Sequence, residues 1–178
     1  MSIEIVYETH GTSVHNESGI GTGWLDGRLS ERGKREAEDL GRRRRGDGIA
    51  AVYCSDLGRA VETAEIAFAG SGIPIHSDPR LRECNYGELN GAALSRFAGE
   101  PRRRIDTPTR EVRATERSST VCATFSTSPP ADDGTRILVI GYAATRWALG
   151  HLPVGTVLED LVDGPCRWQP GWEYVLRR

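Results

Sequence analysis

The sequence lacks the features that mark membrane-spanning, metal-binding and disulfide-stapled proteins. It contains no apolar run near the roughly 18 residues that a membrane helix needs. Its four cysteines lie far apart and form no CxxC pair that would indicate zinc or redox chemistry. No charged and apolar leader opens the chain. These absences predict a cytoplasmic protein with reduced thiols, no membrane association and no bound metal.

The chain also lacks a strong charge bias, because 23 Lys and Arg side chains face 25 Asp and Glu side chains and the net charge is −2. The basic runs at 42–45 and 102–104 have no interleaved aromatic residues, which is typical of solvated helix ends. We therefore expect no nucleic-acid partner. With 178 residues and 38% hydrophobic content, we expect 1–178 to form a single domain.

Apolar strand-like segments alternate with helical ones along the chain. The patterns predict strands at 3–8, 48–56, 135–143 and 172–178, and helices at 29–45, 57–70 and 144–152. Ser30 is the expected N-cap of the first helix. This alternation predicts an α/β fold, a three-layer α/β/α sandwich with a mostly parallel central sheet and helices on both faces.

Two short stretches invite a functional interpretation. The glycines of GIGTG at 19–23 do not follow GxGxxG spacing and no strand precedes them, so we expect a flexible loop there. His10 and Gly11 follow the first strand, at the position where α/β sheets place ligand sites. Taken alone, His10 is better interpreted as a half-buried structural histidine at the end of a strand. His10 and His15 lack the further ligands that a metal site needs.

Five longer stretches of the sequence, taken in their order along the chain, carry a resemblance to a known family. They are THGTSVHN, GWLDGRLSERGKREAEDLG, VYCSDLGRAVETAEIA, LRECNYGELNG and ILVIGYAATRWAL. Together they resemble the histidine phosphatase superfamily, the phosphoglycerate-mutase-like group, as a divergent member. The resemblance implies a phosphatase or phosphomutase that acts on a small phosphorylated metabolite and needs no cofactor.

The resemblance also implies a role for each matched residue. His10 is implied to be the nucleophile that carries the phosphoryl group, and Glu83 the acid that protonates the leaving oxygen. Arg59, Asn16 and Gly11 are implied to bind phosphate, whose charge requires fixed donors.

Without the resemblance, two of these residues have ordinary interpretations. Taken alone, Arg59 is better interpreted as a surface residue of a helix. Taken alone, Glu83 is better interpreted as the partner of Arg80 or Arg82 in an ion pair. The burial of Arg59 and the ion-pair partners of Arg80 and Arg82 distinguish between these interpretations.

Two phosphate-binding positions depart from the family pattern. Thr9 stands where the family's first motif has arginine, although some bacterial members resemble this chain in carrying ETH there. Tyr142 stands where the family has a second catalytic histidine. Both side chains can donate a hydrogen bond to phosphate, but neither is charged. Of the four basic groups that the family pattern implies, His10 and Arg59 remain.

A long polar segment at 107–128 shows neither a helical nor a strand period, which is unusual inside a compact domain. The family carries a loop and an amphipathic helix here. Reading these residues two bases into GC-rich codons can yield YPGGASYRAVVDRVRDLLDV, which restores both features. We hypothesise a one-base frame shift near Pro108, corrected near Ser128. If the shift is real in the protein, polar sequence replaces the helix of the family, and we expect the segment to be partly disordered.

Three functions remain open at this point. The leading prediction is a phosphatase or phosphomutase-like enzyme of reduced activity that works through phosphohistidine at His10. The alternative is a catalytically impaired homologue that binds a phosphorylated ligand or a partner protein, which Thr9 and Tyr142 favour. A third possibility is a different reaction with Tyr142 as acid or base, which would require a perturbed tyrosine pKa.

Overall fold

The computed structural model describes residues 2–97, 134–151, 154–163 and 169–177. Their strands are β1 (Ser2–Thr9), β2 (Ile20–Gly21), β3 (Ala51–Cys54), β4 (Ile75–Ser77), β5 (Ala92–Ala93), β6 (Thr135–Gly141) and β7 (Trp172–Arg177). Five of them form the central sheet in the order β4-β3-β6-β1-β7. All neighbours in it pair in parallel except β7, which pairs antiparallel with β1. The mostly parallel sheet that the sequence predicts is confirmed.

The α-helices in these residues are α1 (Val14–Glu17), α2 (Glu31–Arg44), α3 (Gly58–Phe68), α4 (Ala143–His151) and α5 (Leu158–Asp163). Ser30 caps α2 as predicted, because its hydroxyl accepts a hydrogen bond from the Gly33 N–H at 3.1 Å. Basic residues fill the last turn of α2, where they suit the helix dipole. None of the helices in this part of the chain has both the length and the apolar character needed to cross a membrane.

Helices cover both faces of the sheet. Successive strand residues point to opposite faces, so each strand contributes to two buried clusters. On one face, Val6 belongs to a buried cluster with Leu40 of α2 and Ala64 of α3. On the other face, Ile5 belongs to a cluster with Leu149 of α4. Each large aliphatic side chain buried in this way contributes about 1.5–3 kcal/mol. The predicted helices on both faces are confirmed.

The prediction of a flexible loop at 19–23 is wrong at two residues. Ile20 and Gly21 form β2, which pairs antiparallel with β5. Gly21 lets β2 approach the ring of Phe97 closely, because a Cβ at Gly21 would lie only 2.5 Å from that ring. The segment 107–128 lies outside the described residues, so the frame-shift and disorder hypotheses stay hypotheses.

The parallel pairing of β1 with β6 determines where the site lies. Thr9 and Gly141 are partners in the register of these strands. The His10 N–H continues the ladder by donating to the Gly141 carbonyl oxygen at 3.3 Å. The residues that follow the two strands, His10 and Tyr142, therefore lie side by side at the carboxyl edge of the sheet.

Candidate active site

His10 and Tyr142 are in direct ring contact at this edge. Their ring centroids are 5.1 Å apart and the planes are inclined by 54°. The two positions are 132 residues apart in sequence, so the contact depends on the adjacency of β1 and β6.

One nitrogen of the His10 ring is fixed by its own loop. Nδ1 lies 2.7 Å from the Gly11 carbonyl oxygen, and a carbonyl can only accept, so Nδ1 carries the proton. In the neutral ring this leaves the lone pair on Nε2. Burial lowers the pKa of His10 most, and the Arg59 charge lowers it further, to about 4. The Gly11 hydrogen bond and the Glu36 charge act in the opposite direction but are weaker. At neutral pH the ring is therefore uncharged, and its Nε2 can act as a nucleophile.

Gly11 lets the loop after β1 pack against the first turn of α2. A Cβ at Gly11 would lie 2.5 Å from the Gly33 carbonyl oxygen, and a Cβ at Gly33 would meet the carbonyl oxygen of Thr12. The Gly11 N–H donates to Oγ1 of Thr63 at 3.0 Å. Both polar backbone atoms of Gly11 are thus used within the protein.

Arg59 is buried in the first turns of α3, with only 2% of its surface exposed. Its Nη2 donates to the Gly23 carbonyl oxygen at 2.9 Å. Its guanidinium carbon lies 4.6 Å from the centroid of the Tyr142 ring, a cation–π contact. The alternative that Arg59 is a surface residue is therefore wrong, and a permanent positive charge lies next to the His10 and Tyr142 rings.

The Tyr142 side chain is buried, and its hydroxyl lies 2.7 Å from Oγ of Ser55. Burial raises the pKa of Tyr142 to about 12, although the Arg59 charge and the Ser55 hydrogen bond oppose the rise; the Glu83 charge adds to it. The phenol therefore stays protonated and uncharged at neutral pH. A tyrosine base would need a pKa nearer neutrality, so this shift gives no support to a different reaction run by Tyr142.

Glu83 lies in the segment beside Tyr142, close enough for its charge to act on the phenol. Its backbone carbonyl accepts a hydrogen bond from Nε1 of Trp24 at 2.7 Å, and its Oε1 accepts one from the Cys84 N–H at 2.7 Å. The segment that carries the candidate acid is thereby tied to the loop that follows β2.

The two arginines that were alternative partners of Glu83 have aspartate partners. Arg80 pairs with Asp78, with 2.6 Å between Nη2 and Oδ2. Arg82 pairs with Asp56, with 2.6 Å between Nε and Oδ1. Each arginine is thus held by a carboxylate other than that of Glu83.

Asn16 lies in α1, just beyond the loop that carries His10. Its Oδ1 accepts hydrogen bonds from the Ser13 N–H at 3.0 Å and the Ser13 hydroxyl at 2.8 Å. The Asn16 N–H in turn donates to Oγ of Ser13, which completes a capping box. The side-chain oxygen is therefore occupied, and the amide NH₂ is the group left to donate.

A cavity of about 450 Å³ lies between the end of β1, α1 and one face of α2. His10, Asn16 and Thr9 line it, together with a charged set from β1 and α2: Glu8, Arg32, Glu36, Asp39 and Arg43. Arg32 is paired with Glu36 at 2.8 Å and Arg43 with Glu8 at 3.3 Å. The cavity therefore offers little uncompensated positive charge. In the part of the chain that the structure covers, no three His, Cys, Asp or Glu side chains form a group able to hold a metal ion.

Sequence reasoning missed three residues that act on the candidate site. Ser55 binds the Tyr142 hydroxyl, Thr63 binds the Gly11 N–H, and Glu36 accepts a hydrogen bond from the Thr12 N–H at 2.8 Å. In the sequence they are ordinary polar residues at a strand end and on two helices. Only the tertiary contacts single them out.

Comparison with known proteins identifies the family of the chain. Residues 9–129 match the family model of the histidine phosphatase superfamily (branch 1). A 2,3-bisphosphoglycerate-dependent phosphoglycerate mutase from Staphylococcus haemolyticus is 41% identical over 87 residues, 46% of this chain and 38% of that protein. The chain thus spans less than half the length of these curated relatives.

Solved structures share the fold over most of the chain. Bacillus stearothermophilus YhfR superimposes with a TM-score of 0.82 and 26% identity, covering 96% of this chain and 90% of its own. A phosphoserine phosphatase from Entamoeba histolytica, solved in complex with 3-phosphoglyceric acid, has a TM-score of 0.75 and 15% identity, covering 89% of this chain and 83% of its own. On the family match and the fold together, the chain belongs to the histidine phosphatase superfamily.

Proposed function

We propose that this protein removes or transfers the phosphoryl group of a small phosphomonoester through phosphohistidine at His10, at a reduced rate. The observation that carries the proposal is the state of the His10 ring. Its Nδ1–H is held by the Gly11 carbonyl and its pKa is near 4, so a neutral Nε2 lies in the same site as the buried Arg59 cation.

The proposed reaction has two steps. His10 Nε2 attacks phosphorus, the N–P bond forms and the ester P–O bond breaks. The leaving oxygen takes a proton from the Glu83 carboxylic acid, which becomes a carboxylate. In the second step, water or an acceptor alcohol gives its proton to Glu83 and attacks phosphorus, and the N–P bond breaks. Phosphate or a new ester leaves, and both residues return to their starting states.

Three groups are proposed to bind the phosphoryl oxygens: the Arg59 guanidinium, the Asn16 amide NH₂ and the Thr9 hydroxyl. Arg59 supplies the positive charge, and its fork retains N–H donors besides the one on Gly23. Gly11 and Tyr142, expected from the resemblance to bind phosphate, have their polar groups engaged by other residues. We assign these two the role of positioning His10 and Arg59.

The reduced rate follows from two neutral side chains. Thr9 and Tyr142 stand where the family pattern has cations. Removing one strong transition-state donor costs about 3–4 kcal/mol, or roughly a hundred- to thousandfold in rate. The arginines of the neighbouring cavity are paired with carboxylates and replace this charge only in part.

A second candidate function is favoured by the same shortage of charge. With the Tyr142 hydroxyl on Ser55 and the cavity arginines compensated, a catalytically impaired homologue would still bind a phosphorylated ligand or a phosphorylated partner protein through Arg59. Such a protein would bind vanadate or phosphate without turnover that depends on His10.

Phosphate release by three proteins tests the proposal: wild type, His10→Ala and Tyr142→His, each shown to be folded by circular dichroism. A panel of small phosphomonoesters is offered, including 3-phosphoglycerate and phosphoserine. If wild type releases phosphate and His10→Ala does not, the result supports the proposed enzyme activity. If wild type and His10→Ala release none but Tyr142→His does, the result supports a catalytic site that residue 142 has weakened. Silence from all three folded proteins supports the binding role.

A further inference from the structure

Glu36 is a carboxylate of α2 that the proposed reaction does not use. Its Oε2 accepts a hydrogen bond from the Thr12 N–H at 2.8 Å, and its Oε1 accepts one from Nε of Arg32 at 2.8 Å. Both oxygens are thus held by donors, which fixes the carboxylate against the loop that carries His10. Burial works to raise the pKa of Glu36, but the hydrogen bonds from Thr12 and Arg32 outweigh it and keep that pKa below its ordinary value. The group is therefore ionised at neutral pH.

The peptide that Glu36 binds also binds the candidate nucleophile. The Thr12 N–H and the Gly11 carbonyl belong to the same peptide unit, whose two polar ends are conjugated. Glu36 accepts from the N–H end, and His10 Nδ1–H donates to the C=O end at 2.7 Å. The three groups form one chain, carboxylate to peptide to imidazole, in which each hydrogen bond polarises the next.

The neighbouring peptide is held independently. The Gly11 N–H, which belongs to the His10–Gly11 peptide, donates to Oγ1 of Thr63, and that hydroxyl donates to the Arg59 carbonyl at 2.6 Å. Both peptides around Gly11 are therefore clamped by one side chain each. Rotation of either peptide would move the carbonyl that orients His10.

We propose that Glu36 is a positioning residue for the nucleophile, acting on His10 through the Gly11–Thr12 peptide. A negative charge at the N–H end makes the Gly11 carbonyl a stronger acceptor. That acceptor favours the proton on Nδ1 and leaves the lone pair on Nε2. When Nε2 bonds to phosphorus, the ring gains positive character, and the same chain stabilises it. This catalytic consequence rests on the proposed function, whereas the effect on the ring does not.

The electrostatics of the loop agree with this arrangement. The Glu36 charge acts on His10 in the direction that favours a positive ring, although burial and Arg59 dominate the pKa of His10. Glu36 lines the same cavity as His10. A merely structural clamp would need an acceptor at residue 36 but not a charge.

The test compares Glu36→Gln with Glu38→Gln, a loss of the same charge at an exposed position on the same helix. Ring-nitrogen NMR of ¹⁵N-labelled protein without substrate reports which tautomer His10 adopts, with His10→Asn to assign the signal. We expect the Nδ1–H tautomer in wild type and Glu38→Gln, and a smaller share of it in Glu36→Gln. Identical ring-nitrogen shifts in Glu36→Gln and wild type would overturn the proposal.

Single-turnover phosphorylation of His10 provides the second measurement. Glu36→Gln is expected to slow it about ten- to hundredfold, by analogy with the loss seen when the hydrogen-bond partner of a metal-binding histidine is removed. The substrate concentration that gives half of the maximal single-turnover rate should change little. An unchanged rate in Glu36→Gln would overturn the proposal. A wild type that is never phosphorylated contradicts the proposed function instead, and the tautomer measurement then decides this inference alone. If Glu36→Gln does not fold, Glu36→Asp replaces it in both measurements. It keeps the charge but draws it one methylene back from the Thr12 N–H. We then expect smaller losses of the Nδ1–H tautomer and of the phosphorylation rate, and no change in either would overturn the proposal.

Discussion

The Tyr142 hydroxyl and the Ser55 hydroxyl share a buried hydrogen bond of 2.7 Å behind the candidate nucleophile. The phenol ring that this bond fixes lies against both His10 and the Arg59 guanidinium. Where the family pattern has a cationic imidazole, this chain therefore has an uncharged phenol ring in a fixed position. The buried Arg59 guanidinium lies over this ring, 4.6 Å from its centroid.

Replacing Tyr142 by histidine is expected to raise the rate of phosphate release. An imidazole at this position can carry the charge that the phenol lacks, and one such donor is worth about a hundredfold. Tyr142→Phe is the matched control: it keeps the ring, removes the bond to Ser55 and should show no gain. It should lower the free energy of unfolding by about 1–3 kcal/mol, because it leaves a buried hydroxyl without this partner. Initial rates and chemical denaturation check both variants. A gain in Tyr142→Phe equal to that in Tyr142→His would contradict the role of charge.

The His10 ring is expected to titrate near pH 4 in the folded protein. Burial and the Arg59 charge disfavour the protonated form. NMR of the histidine ring protons across the pH range measures this value, and the resonance missing from His10→Asn identifies His10 among the four histidines. A midpoint near the ordinary value of 6.5 would show that the ring is neither desolvated nor influenced by Arg59.

The same shift has a consequence for stability. In the unfolded chain a histidine titrates at about 6.5, and in the folded protein His10 titrates at about 4, so between these values the unfolded state binds more protons. The free energy of unfolding is therefore expected to fall as the pH is lowered from about 6.5 to about 4. His10→Asn should reduce this slope. Urea titrations at several pH values measure it, and equal slopes in the two proteins would contradict the lowered pKa.

Gly11→Ala is expected to destabilise the protein by about 1–3 kcal/mol, the usual cost of forcing an extra methyl group into a packed site. The new Cβ would lie 2.5 Å from the Gly33 carbonyl oxygen, so the loop that holds His10 would have to move away from α2. Gly46→Ala is the control, because a Cβ there meets nothing within 4 Å. It should change stability by less than about 0.5 kcal/mol. Equal effects in chemical denaturation would show that the close packing at Gly11 is not what stabilises this loop.

Much of the fold could be predicted because it follows from local patterns. The apolar strands and the amphipathic helices of α2 and α3 define the layers, and parallel strands bring their carboxyl ends to one edge. That logic brings His10 and Tyr142 to the same edge of the sheet, and the pairing of β1 with β6 makes them neighbours. It could not give β2, because a two-residue strand has too few residues to show a period.

The interior of the site could not be predicted in the same way. The contacts of Ser55 with Tyr142 and of Thr63 with Gly11 join residues 87 and 52 positions apart, and nothing local marks either serine or threonine. The burial of Arg59 depends likewise on the loop that supplies the Gly23 carbonyl. That 1–178 form one domain stays a prediction, as does the cytoplasmic location.

Capture of the phosphorylated intermediate tests the central claim most directly. Wild type, Tyr142→His and His10→Ala are mixed with a labelled phosphomonoester, quenched in alkali, where phosphohistidine survives, and mapped by mass spectrometry of their peptides. The account predicts one phosphoryl group on the peptide containing His10 in the first two proteins, more of it in Tyr142→His, and none in His10→Ala. Phosphate release without a phosphoryl group on that peptide, or no labelling of either protein that retains His10, would contradict it.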